Sequence, residues 1–99
     1  MVIKGVTLIA KPGMEKALEE DLLQMIPQSE TEDNTLVYCM HRYVGEPGKF
    51  FFYERYTDEA AFDYHNNTPT CLGLKVAELC AEDPVPFFLE VVGEINWKK

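Results

Sequence analysis

Positive charge is scarce in this chain. Nine lysines and arginines, unclustered, stand against seventeen acidic residues and leave a formal charge of −8. A surface of that sign repels phosphate backbones and anionic headgroups, so neither nucleic acid nor a membrane surface is an expected partner. Long apolar runs are missing too. No stretch approaches the ~20 residues of a spanning helix, and the short hydrophobic segment in MVIKGVTLIAKPG is followed by no small-residue cleavage site. The expectation is a soluble, cytoplasmic protein. Cysteine is limited to Cys39, Cys71 and Cys80, an odd number in otherwise apolar segments, which suits buried free thiols better than a disulfide framework. With no C-x-x-C and only two histidines, a zinc site is not expected. No repeat, low-complexity tract or linker breaks the 99 residues, which read as a single domain, 1–99. That length buries roughly 65% of the surface of the unfolded chain, enough to fold on one core without staples.

What is present is a sequence of short periodic segments. VIKGVTLIA, residues 2–10, is β-branched and partly alternating, a first strand ended by Lys11-Pro12-Gly13. Met14, Leu18, Leu22, Met25 and Ile26 recur at three- and four-residue steps, predicting an amphipathic helix stopped by Pro27. QSETEDN, residues 28–34, reads as a polar loop. TLVYCMHRYV (35–44) and KFFFYERY (49–56) are strands two and three, joined by the turn Gly45-Glu46-Pro47-Gly48. Asp58 stands where an N-cap belongs, ahead of a short helix through Asn66, and Thr68-Pro69 is a second helix start. Leu72, Val76, Leu79 and Cys80 give a last helix its apolar stripe, and FFLEVVGEI, residues 87–95, is strand four.

The order strand, helix, strand, strand, helix, strand predicts an α+β fold, a ferredoxin-like antiparallel sheet with its helices on one face. The other face should then be bare. Yet strand three is aromatic on both sides, with Phe50, Phe52, Glu54 and Tyr56 alternating with Phe51, Tyr53 and Arg55, and strand four is apolar on both sides. Aromatics of that number are mostly buried, and an uncovered face of this kind would be an oversized apolar patch. The expectation is a homodimer whose sheets face each other and close a dimeric α+β barrel, with the helices outside.

On the helix after Asp58, residues three and four apart share a face. His65 therefore lies with Ala61 and Phe62, turned toward the sheet, while Asp63 and Asn67 point away. Burial there favours the neutral ring, a base suited to taking a proton from a bound phenol or enol. The same placement suits a structural histidine that only hydrogen-bonds a neighbour. Candidate partners for the ring or its ligand are Tyr38, Tyr53, Glu54, Arg55 and Tyr56, with Glu54 placed to orient either a ring nitrogen or a helix end. Arg55 and Glu54 point to opposite faces and cannot pair. His41 shares a face with Val37, Cys39 and Tyr43 and is assigned to the dimer seam. The acidic residues of the first helix read as a solvated face.

Over about residues 3–80 the chain resembles the antibiotic biosynthesis monooxygenase family. The likeness is carried by Lys11-Pro12-Gly13, YCMHR at 38–42, EPGKF at 46–50, YERY at 53–56, DEAAFDYH at 58–65 and Thr68-Pro69. The resemblance implies a dimeric α+β barrel with a pocket between helices and sheet in each subunit. In many members it also implies oxygenation of phenolic or quinol substrates by O₂ with no flavin, haem or metal. It implies a catalytic role for His65 as base; from their places on the strands and helix, Tyr38, Tyr53, Glu54, Tyr56 and Phe62 are the expected substrate-binding residues. Two departures stand out. Many members carry a second histidine after the Thr-Pro step, where this chain has Thr70. Haem-degrading relatives place a tryptophan near position 65 and an axial histidine about ten residues later, where this chain has His65 and Lys75; its one tryptophan is Trp97. The expected activity is a cofactor-independent monooxygenase acting on a small aromatic substrate. The alternatives are a non-catalytic dimeric module binding a small apolar ligand, and an isomerase of a small sugar-phosphate-like compound, for which no convergent lysines or arginines are evident.

Overall fold

Residues 1–95 are described by a computed structural model of the chain; Trp97 lies outside them. The elements are β1 (Val2–Ile9), α1 (Glu15–Leu23), α2 (Met25–Glu30), β2 (Thr35–Arg42), β3 (Lys49–Tyr56), α3 (Glu59–Asn66), α4 (Pro69–Leu72), α5 (Val76–Leu79) and β4 (Phe87–Leu89). The strands form one sheet in the order β2-β3-β1-β4, every neighbouring pair antiparallel. This is the ferredoxin-like arrangement that the element order predicts.

Register sets the two faces. Val2, Lys4, Val6 and Leu8 stand opposite Tyr56, Glu54, Phe52 and Phe50. Because side chains alternate across a strand, these residues share the helix-covered face. Val6, Leu8, Phe50 and Phe52 there meet Leu18 and Leu22 of α1 and Cys80 to form the main core. Leu18 is 0% exposed. Leu18→Ala is expected to cost about 2–5 kcal/mol, read as a lower urea midpoint at unchanged slope.

Three boundaries differ from the sequence reading. Pro27 does not stop the first helical segment. The chain breaks at Gln24, and Pro27 is the third residue of α2, where its missing N–H is one of the first-turn donors that has no partner inside a helix anyway. Residues 28–30 are thus helical, not loop. The last helix is two single turns, because the Lys75 amide is taken by the Asp21 carboxylate of α1 at 2.8 Å and Gly73 sits at the end of α4. Strand four is also shorter than residues 87–95. After Leu89 the chain leaves β1, and Glu94 pairs with the Arg55 guanidinium at 2.8 Å on the sheet's other face.

That other face carries Phe51, Tyr53, Arg55, Thr7, His41, Phe87 and Leu89, with no helix over it among the described residues. Phe87 lies over Gly5, where an added Cβ would sit 2.5 Å from the ring. Only glycine admits this approach. Phe87 also stacks on Phe51, with centroids 6.2 Å apart, and is still 43% exposed.

Candidate functional site

His65 occupies the inward face of α3, whose start is fixed by the Asp58 carboxylate accepting from the Ala61 amide at 2.8 Å. Thr68 closes the helix, its hydroxyl donating to the His65 carbonyl at 3.0 Å and then capping α4 by accepting from the Cys71 amide. His65 is 2% exposed. It lies between two tyrosines of the sheet, with ring centroids 4.9 Å from Tyr38 and 5.2 Å from Tyr56.

The ring's partner is Glu32, a residue the sequence reading left in a polar loop. His65 Nδ1 lies 2.8 Å from Glu32 Oε1. Thr35 donates to the same oxygen at 2.8 Å, and the Gln28 amide donates to Oε2 at 3.0 Å. Burial opposes ionisation of Glu32, but the hydrogen bonds from Gln28, Thr35 and His65 and the nearby imidazole charge together outweigh it. The carboxyl is therefore held below the usual carboxylate range. One signal could have found this residue. With Pro27 read as a first-turn proline, the helix runs on to Glu30, and Glu32, two residues past its end, follows Gln28 at a four-residue step.

Glu54 does not orient the histidine. It is 2% exposed, accepts from the Tyr56 hydroxyl at 2.5 Å and lies 3.8 Å from Lys4 Nζ. Nor does Tyr53 join this group. It is three residues from Tyr56, an odd step that puts it on the opposite face, where its hydroxyl accepts from Arg55. Phe62 packs edge-on to Tyr56 at 5.2 Å and to Phe88 at 5.7 Å. His41 is exposed on the face away from the helices, its Nδ1 3.0 Å from the Phe51 carbonyl. The acidic face of α1 is not wholly solvated, since Glu19 pairs with Arg42.

Proton chemistry in this cluster is narrowed by its surroundings. Burial first, and then the charges of Glu54 and Glu32, drive both phenols far above the ordinary tyrosine value. The Cys71 thiol is raised by burial, which prevails over the lowering effect of Lys4. Tyr38, Tyr56 and Cys71 thus keep their protons at neutral pH and can donate hydrogen bonds but not serve as bases. A cleft of about 390 Å³ opens on the outer side of Glu32, between Asp33, Asp58 and Tyr64, and His65 is not on its wall.

The depressed Glu32 carboxyl gives a signed prediction. In the unfolded chain this group binds its proton at higher pH than in the folded protein, so its stabilisation is complete above the ordinary carboxylate range. It drains as pH falls through that range toward the folded value. Urea midpoints measured down that range should fall less steeply for Glu32→Gln than for the natural chain. Equal slopes would mean that the carboxylate contributes nothing to acid sensitivity.

Residues 1–75 match the family model described as antibiotic biosynthesis monooxygenase. The chain belongs to that family. Solved structures agree. A crystal structure of an antibiotic biosynthesis monooxygenase has a TM-score of 0.86 at 21% identity, covering 94% of this chain and 100% of the other. A Mycobacterium tuberculosis protein gives 0.85 at 25% identity, over 94% and 96%. A Pseudomonas aeruginosa protein gives 0.85 at 26%, over 93% and 94%. No curated protein matches the chain. Family membership supports a small-molecule-binding fold of the monooxygenase type, and no helix among the described residues is long and apolar enough to cross a membrane.

Proposed function

We propose that this protein is a cofactor-independent monooxygenase that oxidises a small phenolic or quinol substrate with O₂, and that His65 is the base. The observation that carries the reading is the buried pairing of His65 with Glu32 beneath two protonated tyrosines. A carboxylate that holds one ring nitrogen stabilises the imidazolium formed when the other takes a proton. Loss of that proton turns a quinol into an electron-rich anion able to pass one electron to O₂. Tyr38 and Tyr56 are the substrate-side walls, Glu54 orients the Tyr56 hydroxyl, and Phe62 backs Tyr56. Tyr53 is left out of this site by its face. Since His65 is 2% exposed, substrate entry requires displacement of a side chain packed on it.

The protein acts as a homodimer in this reading, its bare sheet faces apposed. Support comes from the exposed Phe87, Leu89 and Val91 and the half-buried Phe51, all on or bordering the face opposite the helices, since contiguous exposed apolar side chains mark interaction surfaces.

A second reading, a non-catalytic dimeric module for a small apolar ligand, is favoured by the same closure of the ring. The sugar-phosphate isomerase reading is weakened because Lys4, on the same sheet face as Tyr56, faces Glu54. An oxygen electrode with a panel of quinols, combined with an absorption spectrum of the protein, discriminates between these. Substrate-dependent O₂ uptake by a colourless protein supports the monooxygenase. Ligand binding without O₂ uptake across the panel supports the module.

A further inference from the structure

Thr70, standing where many relatives have a second histidine, belongs to a chain of hydrogen bonds that ends at His65. Its hydroxyl donates to Gln28 Oε1 at 3.2 Å, and Gln28 Nε2 donates to Glu32 Oε2 at 3.0 Å. Glu32 Oε1 receives Thr35 at 2.8 Å and faces His65 Nδ1 at 2.8 Å. The chain has one direction. The ionised Glu32 carboxylate can only accept, so the NH₂ end of the Gln28 amide meets it, and the Gln28 carbonyl is left to accept from the Thr70 hydroxyl. Glu32 is then an acceptor on both oxygens, and the nitrogen facing it must carry a proton. A neutral imidazole protonated at Nδ1 has its lone pair on Nε2, and among the described residues Nε2 takes no hydrogen-bond partner.

We infer that Glu32, Gln28 and Thr70 are positioning residues that lock His65 in the Nδ1–H tautomer and make Nε2 the reacting nitrogen. This rests on the reading of His65 as the base and adds which atom acts and what holds it. Helix α4 supplies through Thr70 an anchor for α2, so two elements distant in sequence set the orientation of one ring on a third. Partners that orient a reacting histidine through its other nitrogen recur as fixed parts of such sites.

The test is long-range ¹H–¹⁵N correlation of ¹⁵N-histidine protein, with the His65 signals assigned by loss of the other set in His41→Gln. The expected result is a protonated Nδ1 and an unprotonated Nε2 in the natural chain, with the two neutral tautomers mixed in Glu32→Ala. An Nε2–H ring in the natural chain, or an unchanged tautomer population in Glu32→Ala, overturns the inference. Should Glu32→Ala fail to fold, the natural-chain measurement decides alone. Thr70→Val, which deletes only the hydroxyl, is expected to lower kcat for the responding quinol several-fold at unchanged KM; a KM effect alone counts against positioning. Absence of turnover beside the expected tautomer removes the base reading and leaves the positioning chain standing. Turnover beside an Nε2–H ring does the reverse.

Discussion

His65→Gln is expected to lower kcat for quinol-dependent O₂ uptake by about 10²–10⁴-fold, the range associated with removal of a positioned general base. In barrier height this is roughly 3–5 kcal/mol. Glutamine is the informative replacement because its side-chain NH₂ can still donate to Glu32, at the place where His65 Nδ1 lies 2.8 Å from Oε1. Alanine would strip that buried oxygen of one of its two donors, leaving Thr35, and a hydrogen bond to a charged group contributes about 1.5–3 kcal/mol. A loss of activity in alanine would thus mix chemistry with stability. In glutamine the fold should persist, with a urea midpoint close to that of the natural chain, while the base is gone. Undiminished turnover by His65→Gln would remove the imidazole from the chemistry and leave Glu32–His65 as a purely structural pair.

How far the sequence disclosed this site depends on which rule governed each residue. Strand order and the inward turn of His65 were legible because both rest on periodicity. The alternation of strand three and the i, i+3, i+4 spacing of Ala61, Phe62 and His65 suffice to place them. Caps at Asp58 and Thr68 were legible for the same local reason, since a short polar side chain ahead of an apolar turn has few other uses. Glu32 was not legible, because its partner is 33 residues away and the segment around it is uniformly polar. Composition alone could not separate a buried carboxylate from its exposed neighbours Asp33 and Asn34. The misreading of Pro27 compounded this, since a helix stopped there leaves Gln28 in the loop and hides the helical turn that sets its amide against Glu32. Tyr53 failed for a different reason. Chemical likeness to Tyr56 grouped the two, although the odd spacing between them sends them to opposite sides of the sheet. The break between α4 and α5 was hidden because it is made from outside, by Asp21 of α1 capturing the Lys75 amide. Local patterns thus reveal the scaffold, and the polar network that equips the site is tertiary.

Phe51→Glu is expected to convert the proposed dimer to a monomer, raising the dissociation constant by about 10³-fold or more. Phe51 sits mid-face on β3, with His41 at 5.8 Å and Phe87 at 6.2 Å between ring centroids, so a charge there would be enclosed by the apposed sheet. An enclosed carboxylate without a partner costs several kcal/mol. A two-fold interface presents each substitution twice, close to its own copy when it lies near the axis. In the separate protomer this face is open, so the glutamate can stay hydrated and the chain should still fold, though with the stability contributed by association removed. Sedimentation velocity at micromolar concentration reads the outcome: a species near twice 11.4 kDa for the natural chain and one near 11.4 kDa for the variant. An unchanged dimer would place the contact elsewhere, and a natural chain that sediments as a monomer would leave the apolar face to another occupant. Because Phe51 and His65 lie on opposite faces of the sheet, the variant separates assembly from chemistry. Turnover per chain that survives dissociation would assign the whole site to one protomer, and turnover lost with the dimer would mean that the apposed sheet is needed to hold Tyr38 and Tyr56 in place.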